Sequence, residues 1–389
     1  MDLTLHPHLL RGQVDILPSK SFAHRVLICA ALADGPTSIH CPQTSADMEA
    51  TADCLAALGA DIQRTSLGFQ VTPIRNVPKS AILPCRESGS TLRFLLPVVG
   101  ALGVDAVFQM EGRLPQRPLS PLWEVMEDKG CKLSRESDTT LRCTGKLQGG
   151  SYRIDGGISS QYVTGFMLAM TRIPGEKDLQ VTGTIESQPY IQMTRDVLEL
   201  FGGNNLHSPG NITIEADWSN AAFFLTANAL GSGVIVSGLK EDSSQGDRAV
   251  AHLLPLLAEG CPTICARDIP DLVPILSVAA AANHGAVFTG IHRLRLKESD
   301  RVSSVTAMIQ NLGGRAEATE DTITIYGTGL TGGVVDSHSD HRIAMSAAIA
   351  ATVCKAPVTI LGAQSVEKSY PTFWEEYARL GGQYEQYLR

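Results

Sequence analysis

The sequence has no excess of positive charge, no long apolar run and no secretion signal, and each absence excludes a class of protein. Its net charge is −8 at pH 7, without a basic tail that could neutralise the phosphates of a nucleic acid. The longest apolar run covers residues 343–354, which is too short to cross a membrane and predicts a buried helix. The first 20 residues lack a basic segment followed by an apolar one, so we expect no signal peptide.

Motifs for common cofactors are absent as well. There is no GxxxxGK[ST] phosphate loop, and the GxGxxG match at residues 327–332 is followed by Gly333-Val-Val-Asp instead of a helix, so neither ATP nor a dinucleotide is expected. His338 and His341 flank Asp340, but no further histidine or cysteine cluster supports a metal site. Helix capping is the simpler interpretation of these residues.

Size and cysteine content indicate a folded protein of more than one domain. A chain of 389 residues is too long for one ordinary core, and a hydrophobic content of 43% excludes a largely disordered protein. The nine cysteines are odd in number and form no CxxC pair, so we expect reduced thiols and a cytoplasmic location.

An internal repeat is the most informative feature that is present. One type of helix is apolar nearly all round, which is typical of a buried helix. It begins near Ser21, Ser90, Ser160, Ser219, Asp271 and His341, at steps of 69, 70, 59, 52 and 70 residues. A second, amphipathic type ends on glycine, as a left-handed C-terminal cap would. These glycines are Gly59, Gly130, Gly202, Gly260, Gly313 and Gly381, at steps of 71, 72, 58, 53 and 68.

Two independent series with the same spacing predict six copies of one unit. Short alternating segments between the helices read as strands, so each unit should contain a strand, a buried helix, a strand, an amphipathic helix and a hairpin. The predicted fold is α/β, with two similar domains of three such βαβαββ units. We place the domains at residues 15–215 and at residues 1–14 plus 216–389, joined by short hinges.

Polar residues with possible chemistry are concentrated where these helices begin. Helix starts carry unpaired N–H groups and favour anions, and Lys and Arg strengthen that preference. Around Glu298, Leu294 and Leu296 alternate with charged residues, which predicts a half-buried strand leading into a helix behind Ser299 or Asp300. Singly, each serine could be only a cap and each cation only a surface charge. Their recurrence at equivalent places in a repeat favours a functional role.

The motifs at these helix starts resemble those of the EPSP synthase family of enolpyruvyltransferases, in order and over nearly the whole chain. The residues that carry the resemblance are Lys20-Ser21, residues 88–93, Arg117-Pro118, Ser159-Ser160-Gln161, Asp271, residues 297–301, Asp340-His341-Arg342 and Lys368. The resemblance implies two domains of the inside-out α/β barrel type, with an active site in the cleft between them. It also implies transfer of the enolpyruvyl group of phosphoenolpyruvate to the 5-hydroxyl of shikimate 3-phosphate.

The resemblance assigns roles to these positions. Those expected to bind shikimate 3-phosphate are Lys20, Ser21, Arg25, Ser159, Ser160, Gln161, Ser187, Tyr190, Asp271 and Lys297. Those expected to bind phosphoenolpyruvate are Lys20, Gly89, Arg117, Gln161, Arg301, Arg342 and Lys368, with Arg93 in a supporting role. Glu298 is the candidate donor of the proton to the methylene carbon, Asp271 the candidate acceptor of the hydroxyl proton, and Lys20 an assisting group. No metal or organic cofactor is expected.

Two alternatives remain open from the sequence. The sister UDP-N-acetylglucosamine enolpyruvyltransferases share the donor, but that family typically has a cysteine five residues before the loop arginine, where this chain has Gly112 before Arg117. A non-catalytic anion-binding repeat protein would not require Lys20, Asp271 and Glu298 together. The expected partners are therefore small-molecule substrates, with no nucleic acid and no membrane, and we expect a monomer.

Overall fold

The structure, a computed structural model, describes residues 1–387 and divides the chain into two compact units. The continuous unit is Pro18–Glu215, and the split unit combines Met1–Leu17 with the chain from Ala216 onward. The first boundary lies between residues 17 and 18 instead of 14 and 15. The reason is that the strand Arg11–Asp15 pairs with Gly233–Ser237, and the Ile16 amide extends this pairing by donating to the Ser237 carbonyl.

Twelve α-helices lie within the described residues. They are α1 (Lys20–Leu32), α2 (Ala46–Ala57), α3 (Gly89–Leu102), α4 (Leu122–Asp128), α5 (Ser160–Met170), α6 (Gln188–Leu200), α7 (Trp218–Ala229), α8 (Val250–Glu259), α9 (Val273–Ala282), α10 (Arg301–Asn311), α11 (His341–Ala351) and α12 (Phe373–Arg379). Short 3₁₀ helices cover Leu114–Gln116, Gly246–Ala249, His292–Leu296 and Ala363–Lys368.

The strands of the continuous unit form three sheets. Its strands are β3 (Thr37–His40), β4 (Asp61–Thr65), β5 (Gly68–Thr72), β6 (Ser80–Arg86), β7 (Asp105–Met110), β8 (Cys131–Ser137), β9 (Thr140–Gly145), β10 (Gly150–Asp155), β11 (Lys177–Thr182) and β12 (Asn211–Thr213). The sheet orders are β12-β3-β5-β4, β6-β7-β9-β8 and β10-β11. In the first two sheets, one parallel pair joins an antiparallel hairpin.

The split unit repeats this arrangement with strands from both ends of the chain. They are β1 (Asp2–His6), β2 (Arg11–Asp15), β13 (Gly233–Ser237), β14 (Thr263–Cys265), β15 (Gly285–Thr289), β16 (Arg315–Ala318), β17 (Thr322–Tyr326), β18 (Gly333–Asp336), β19 (Val358–Leu361) and β20 (Gln383–Tyr387). The sheet orders are β13-β2, β14-β15-β17-β16 and β18-β19-β1-β20.

The third and fourth units differ from the predicted pattern because neither contains a closing hairpin. Their sheets, β10-β11 and β2-β13, are two-stranded and parallel. Only residues 201–210 separate α6 from β12, and only residues 260–262 separate α8 from β14, which leaves no room for two strands and a turn. The same shortening explains the smaller repeat steps of 59 and 52 residues.

The predicted all-apolar helices form the two cores, and this prediction is confirmed. In α1, α3 and α5 of the continuous unit, and in α7, α9 and α11 of the split unit, nearly every residue is buried. Small residues allow such helices to approach closely. In α5, a Cβ atom built on Gly165 would lie 2.3 Å from the carbonyl oxygen of Arg93 on the facing α3.

Gly165→Ala should therefore destabilise the continuous unit by about 1–3 kcal/mol, because the helices must separate to admit the methyl group. This cost should exceed the gain of about 1 kcal/mol that alanine usually brings to a helix. Gly260→Ala is the matched control, since a Cβ there has no atom within 4 Å. Urea unfolding of both variants makes the comparison, and equal midpoints for the two would contradict the close packing of α3 and α5.

Candidate functional site

A buried arginine joins three carboxylates at the helix starts of the split unit. The side chain of Arg301 is only 1% exposed. Its Nη1 donates to Asp271 at 2.6 Å and its Nη2 to Glu298 at 2.7 Å. Its Nε donates to Asp340 at 2.8 Å. The two residues predicted to move protons are therefore held by one guanidinium, which fixes their carboxylates relative to each other.

Two further cations complete this group, which we call the Arg301 cluster: Asp271, Lys297, Glu298, Arg301, Asp340 and Arg342. Arg342 Nη2 donates to Asp271 at 3.1 Å, and Lys297 Nζ lies 3.6 Å from the same carboxylate. Three positive and three negative side chains thus share one small region. Each carboxylate is paired, which the complete burial of Asp340 in particular requires.

The cluster shifts the pKa values of its members in opposite directions. Burial raises the pKa of Asp271, but the charges of Arg342, Lys297 and Arg301 outweigh burial and hold that pKa well below its usual range. Burial lowers the pKa of Lys297 to about 8, with the charge of Asp271 opposing the shift. Lys297 is therefore a cation that can lose its proton within the physiological range.

Helix caps position the cluster. Asp300 caps α10 by accepting from the Val302 and Ser303 amides, which makes Arg301 the first residue of that helix. Asp340 caps α11 by accepting from the Arg342 amide at 3.0 Å, and it also accepts from Ser299 Oγ at 3.0 Å. One carboxylate therefore joins the start of α10 to the start of α11.

The segment that leads into the cluster differs from the prediction made from the sequence. The predicted strand at Leu294 and Leu296 is wrong, because His292–Leu296 forms a 3₁₀ helix with adjacent Arg293 and Leu294 both buried. The preceding strand β15 also has no edge left for a further strand, because β14 and β17 pair with its two edges.

Lys368 donates from Nζ to the Ser339 carbonyl at 2.9 Å, in a loop where Ser339 has a φ of 56°. Lys368 thus lies against the loop that leads into α11.

The continuous unit gathers a second polar group around Gly89. A Cβ atom on Gly89 would lie 2.6 Å from Arg93 Nη1 and 2.7 Å from Arg117 Nη1, so any larger residue there would displace these guanidinium groups. Arg93 also donates to Gln161 Oε1 at 3.1 Å, and Gln161 Nε2 donates to Ser90 Oγ at 3.0 Å. These contacts link the starts of α3 and α5 to the loop that carries Arg117.

Arg25 is buried among neutral acceptors of three helices. Its side chain donates to Thr194 Oγ1 at 2.8 Å, to Thr164 Oγ1 at 3.3 Å and to the Tyr190 carbonyl at 3.0 Å. A further bond goes to the Ser21 carbonyl one turn earlier in α1. Burial lowers its pKa to about 10, so it remains charged at neutral pH. Arg25 thereby connects the predicted residues Ser21 and Tyr190.

The remaining predicted residues of this unit lie at helix starts. Ser159 caps α5 by accepting from the Gln161 amide, and Ser160 opens that helix. Ser187 precedes α6 in the left-handed region, with a φ of 55°, which is strained for a serine. Lys20 opens α1 and forms an ion pair with Asp47 at 2.8 Å. These serines therefore lie where backbone N–H groups can bind an anion.

Sequence reasoning missed Asp47 and Asp340 as partners of the predicted cations. Asp47 follows Ser45, the cap of α2, and such an acidic first turn reads in sequence as ordinary helix stabilisation. Asp340 reads in sequence only as a helix cap, because its bond to Arg301 spans 39 residues. Among residues 1–387, no group of His, Cys, Asp and Glu could hold a metal ion, and no helix is long and apolar enough to cross a membrane.

Comparison with known proteins identifies the family. The family model described as EPSP synthase (3-phosphoshikimate 1-carboxyvinyltransferase) matches residues 6–258 and 261–377. The chain belongs to the EPSP synthase family. A 3-phosphoshikimate 1-carboxyvinyltransferase of Clostridium kluyveri is 36% identical over 419 residues, covering 99% of this chain and 98% of that protein. One of Clostridium perfringens is 36% identical over 413 residues, covering 97% of both.

Solved structures agree with this membership. The EPSP synthase of Acinetobacter baumannii superimposes with a TM-score of 0.78 at 25% identity, covering 99% of this chain and all of that one. The enolpyruvyl transferase NikO of Streptomyces tendae gives a TM-score of 0.76 at 17% identity, covering 99% of this chain and 98% of that one, which shows a shared fold. The predicted α/β fold class and the predicted family are confirmed.

In this EPSP synthase family member, removal of the Asp340 charge should be strongly destabilising, because Arg301 would lose one buried partner. We expect Asp340→Asn to lower the free energy of unfolding by about 3–5 kcal/mol. The matched control is Glu317→Gln, which removes the exposed partner of Arg315 and should leave stability unchanged. Urea unfolding followed by circular dichroism compares the two, and a small effect of Asp340→Asn would show that Arg301 does not depend on this carboxylate.

Proposed function

We propose that this protein transfers the enolpyruvyl group of phosphoenolpyruvate to the 5-hydroxyl of shikimate 3-phosphate, forming 5-enolpyruvylshikimate 3-phosphate and releasing phosphate. The observation that carries the proposal is the Arg301 cluster, which brings Asp271 and Glu298 onto one buried guanidinium beside Arg342 and Lys297 in a member of the EPSP synthase family.

The proposed binding roles follow from charge. The two substrates bring two phosphates and two carboxylates, which require many cations, and arginine forks match such planar or oxygen-rich anions. We assign Lys20, Ser21, Arg25, Ser159, Ser160, Gln161, Ser187, Tyr190, Asp271 and Lys297 to shikimate 3-phosphate. We assign Lys20, Gly89, Arg117, Gln161, Arg301, Arg342 and Lys368 to phosphoenolpyruvate.

The proposed chemistry is addition followed by elimination. Glu298 gives a proton to the methylene carbon of phosphoenolpyruvate, and the adjacent carbon becomes electrophilic. The 5-hydroxyl oxygen bonds to that carbon and passes its proton to Asp271, with Lys20 assisting. The phosphate then leaves with the electron pair of its C–O bond, and the Glu298 carboxylate takes back a methyl proton as the double bond reforms. Positioning and electrostatics carry these steps, so we propose no metal and no organic cofactor.

Asp271 has a low pKa for a proton acceptor, and the neighbouring arginines can account for how it becomes more basic. Asp271 is a weak base while Arg301 and Arg342 both act on its carboxylate. The same two arginines are our candidates for binding phosphoenolpyruvate. Once they share their charge with the donor's anionic groups, less positive potential remains at Asp271, and its pKa rises. Binding of phosphoenolpyruvate would thus raise the basicity of Asp271, the residue that takes the proton from the 5-hydroxyl.

The loop around Gly112 favours this acceptor over a UDP-sugar. Gly112 has a φ of 54°, and a Cβ atom there would lie 2.5 Å from the Glu87 carboxyl carbon. A cysteine could not occupy that position without displacing Glu87. The cysteine typical of UDP-N-acetylglucosamine enolpyruvyltransferases is therefore absent here, and a side chain at this position would require the Glu87 carboxylate to move. We further propose that the protein acts as a cytoplasmic monomer, without nucleic-acid or membrane partners.

The assay for this proposal measures release of inorganic phosphate. We expect release only when phosphoenolpyruvate and shikimate 3-phosphate are both supplied, since either substrate alone leaves the addition step without a reactant. Release with UDP-N-acetylglucosamine as the acceptor would reject the assigned acceptor. No release with any acceptor would favour the non-catalytic anion-binding protein.

Glu298→Gln should lower kcat by roughly 10²–10⁴-fold, the usual contribution of a general acid or base. Binding of shikimate 3-phosphate, measured by calorimetry, should change far less, because Glu298 is assigned to proton transfer. Glu320→Gln is the control, because Glu320 is an exposed glutamate outside the cluster. Wild-type turnover in Glu298→Gln would remove Glu298 from the proton-transfer step.

A further inference from the structure

A buried carboxyl group that has no role in the scheme above lies beside the start of α7. Asp247 belongs to the 3₁₀ helix Gly246–Ala249 and is 1% exposed. Ser219, in the first turn of α7, donates from Oγ to its Oδ2. Its Oδ1 is buried and has no hydrogen-bond partner within residues 1–387. A carboxylate in this condition is costly, so the group is well suited to carry a proton.

The surroundings of Asp247 connect it to the reacting residues. Helices α7, α9 and α11 pack against one another, and Ser219, Asp271 and Arg342 all lie at the beginnings of these helices. Asp271 and Arg342 are close enough for their charges to act on Asp247, with opposite effects. Asp247 thus lies near an ion pair whose bond between Arg342 and Asp271 measures 3.1 Å.

Other charged groups lie on the elements that surround Asp247. Asp217, the cap of α7, adds negative charge close to it. On its own 3₁₀ helix, Arg248 is exposed and donates to the Glu241 carbonyl. On α8, which packs beside it, His252 and Glu259 are exposed and act through solvent. Arg342 is therefore the cation that an ionised Asp247 would attract.

We propose that Asp247 is a positioning residue for the Asp271–Arg342 pair. With its proton, Asp247 leaves Arg342 to Asp271 and to the anionic donor. Without its proton, it competes with both for the same guanidinium and weakens donor binding. The inference rests on the proposed function, because that function assigns Arg342 to phosphoenolpyruvate.

The ionisation of Asp247 falls in the range where this competition can be measured. Burial and the negative charge of Asp271 raise the pKa of Asp247 to about 7, while Arg342 and the Ser219 hydroxyl oppose the shift. This pKa lies above the value of about 3.9 expected in the unfolded chain. Asp247 therefore contributes stability that is present below about pH 4 and is lost as the pH rises through about 7.

The test compares the KM for phosphoenolpyruvate between about pH 6 and about pH 8.5 in the wild type and in Asp247→Asn. We expect the rise in KM across this range to be roughly fivefold larger in the wild type, because asparagine cannot ionise. The ionisation of phosphoenolpyruvate itself affects KM equally in both proteins, so it cancels in the comparison. Asp242→Asn, which alters an exposed carboxylate nearby, should keep the wild-type profile. Identical profiles for the wild type and Asp247→Asn would overturn the proposal.

A second variant keeps the test decisive if Asp247→Asn does not fold. Ser219→Ala removes a hydrogen bond that favours the ionised form, so the midpoint of the KM profile should move to higher pH. An unmoved midpoint would also overturn the proposal.

Thermal unfolding separates this inference from the proposed function, because it needs no substrate. Asp247→Asn should gain Tm relative to the wild type as the pH rises from about 4 to above 7, since the wild type alone pays for burying the charge. If this gain occurs while the KM profiles coincide, Asp247 has no positioning role and the proposed function stands. If the wild type shows this titration but releases no phosphate with both substrates, the proposed function fails instead.

Discussion

The buried guanidinium of Arg301 is the interaction on which the arrangement of charged side chains in the split unit depends. One positive group holds Asp271, Glu298 and Asp340, so their carboxyl groups are fixed relative to one another, and the fully buried Asp340 is paired where it would be costly alone. The positive charges of the cluster also set the basicity of Asp271, because they lower its pKa. Arg301 further joins α10 to α11, since Asp340 caps the second helix while it binds the first residue of the other.

The fold repeats one kind of helix start, whose unpaired N–H groups favour anions. Each unit begins a helix with unpaired N–H groups, and the sequence adds Ser, Lys or Arg at those positions. In the continuous unit, Gly89, Arg93 and Gln161 link two such starts, and Arg25 links three helices through neutral acceptors. An acidic protein, with a net charge of −8, can therefore present locally positive sites.

The sequence predicts the parts of this structure that local patterns encode. Helix types, their glycine ends and the caps recur six times along the chain, so the six units follow from them, and the resemblance to a family supplies most candidate site positions. The 3₁₀ helix at His292–Leu296 cannot be predicted in this way, because the alternation of Leu294 and Leu296 is also typical of a strand. The shorter repeat steps indicate that the third and fourth units lack an element, but the spacing alone does not show that this element is the hairpin. Ion pairs such as Arg301–Asp340, and the burial of Asp247, depend on long-range packing that no local pattern contains.

The strand pairings impose an order on synthesis. The continuous unit can complete its sheets once β12, the last strand before Glu215, has left the ribosome and paired with β3. The first strands of the chain must wait longer, since β2 pairs with β13 and β1 with β19 and β20 near the opposite end. Strand β2 therefore stays unpaired until β13 has followed the continuous unit, and β1 until β19 and β20 are made, and during these intervals both strands can mispair with other chains.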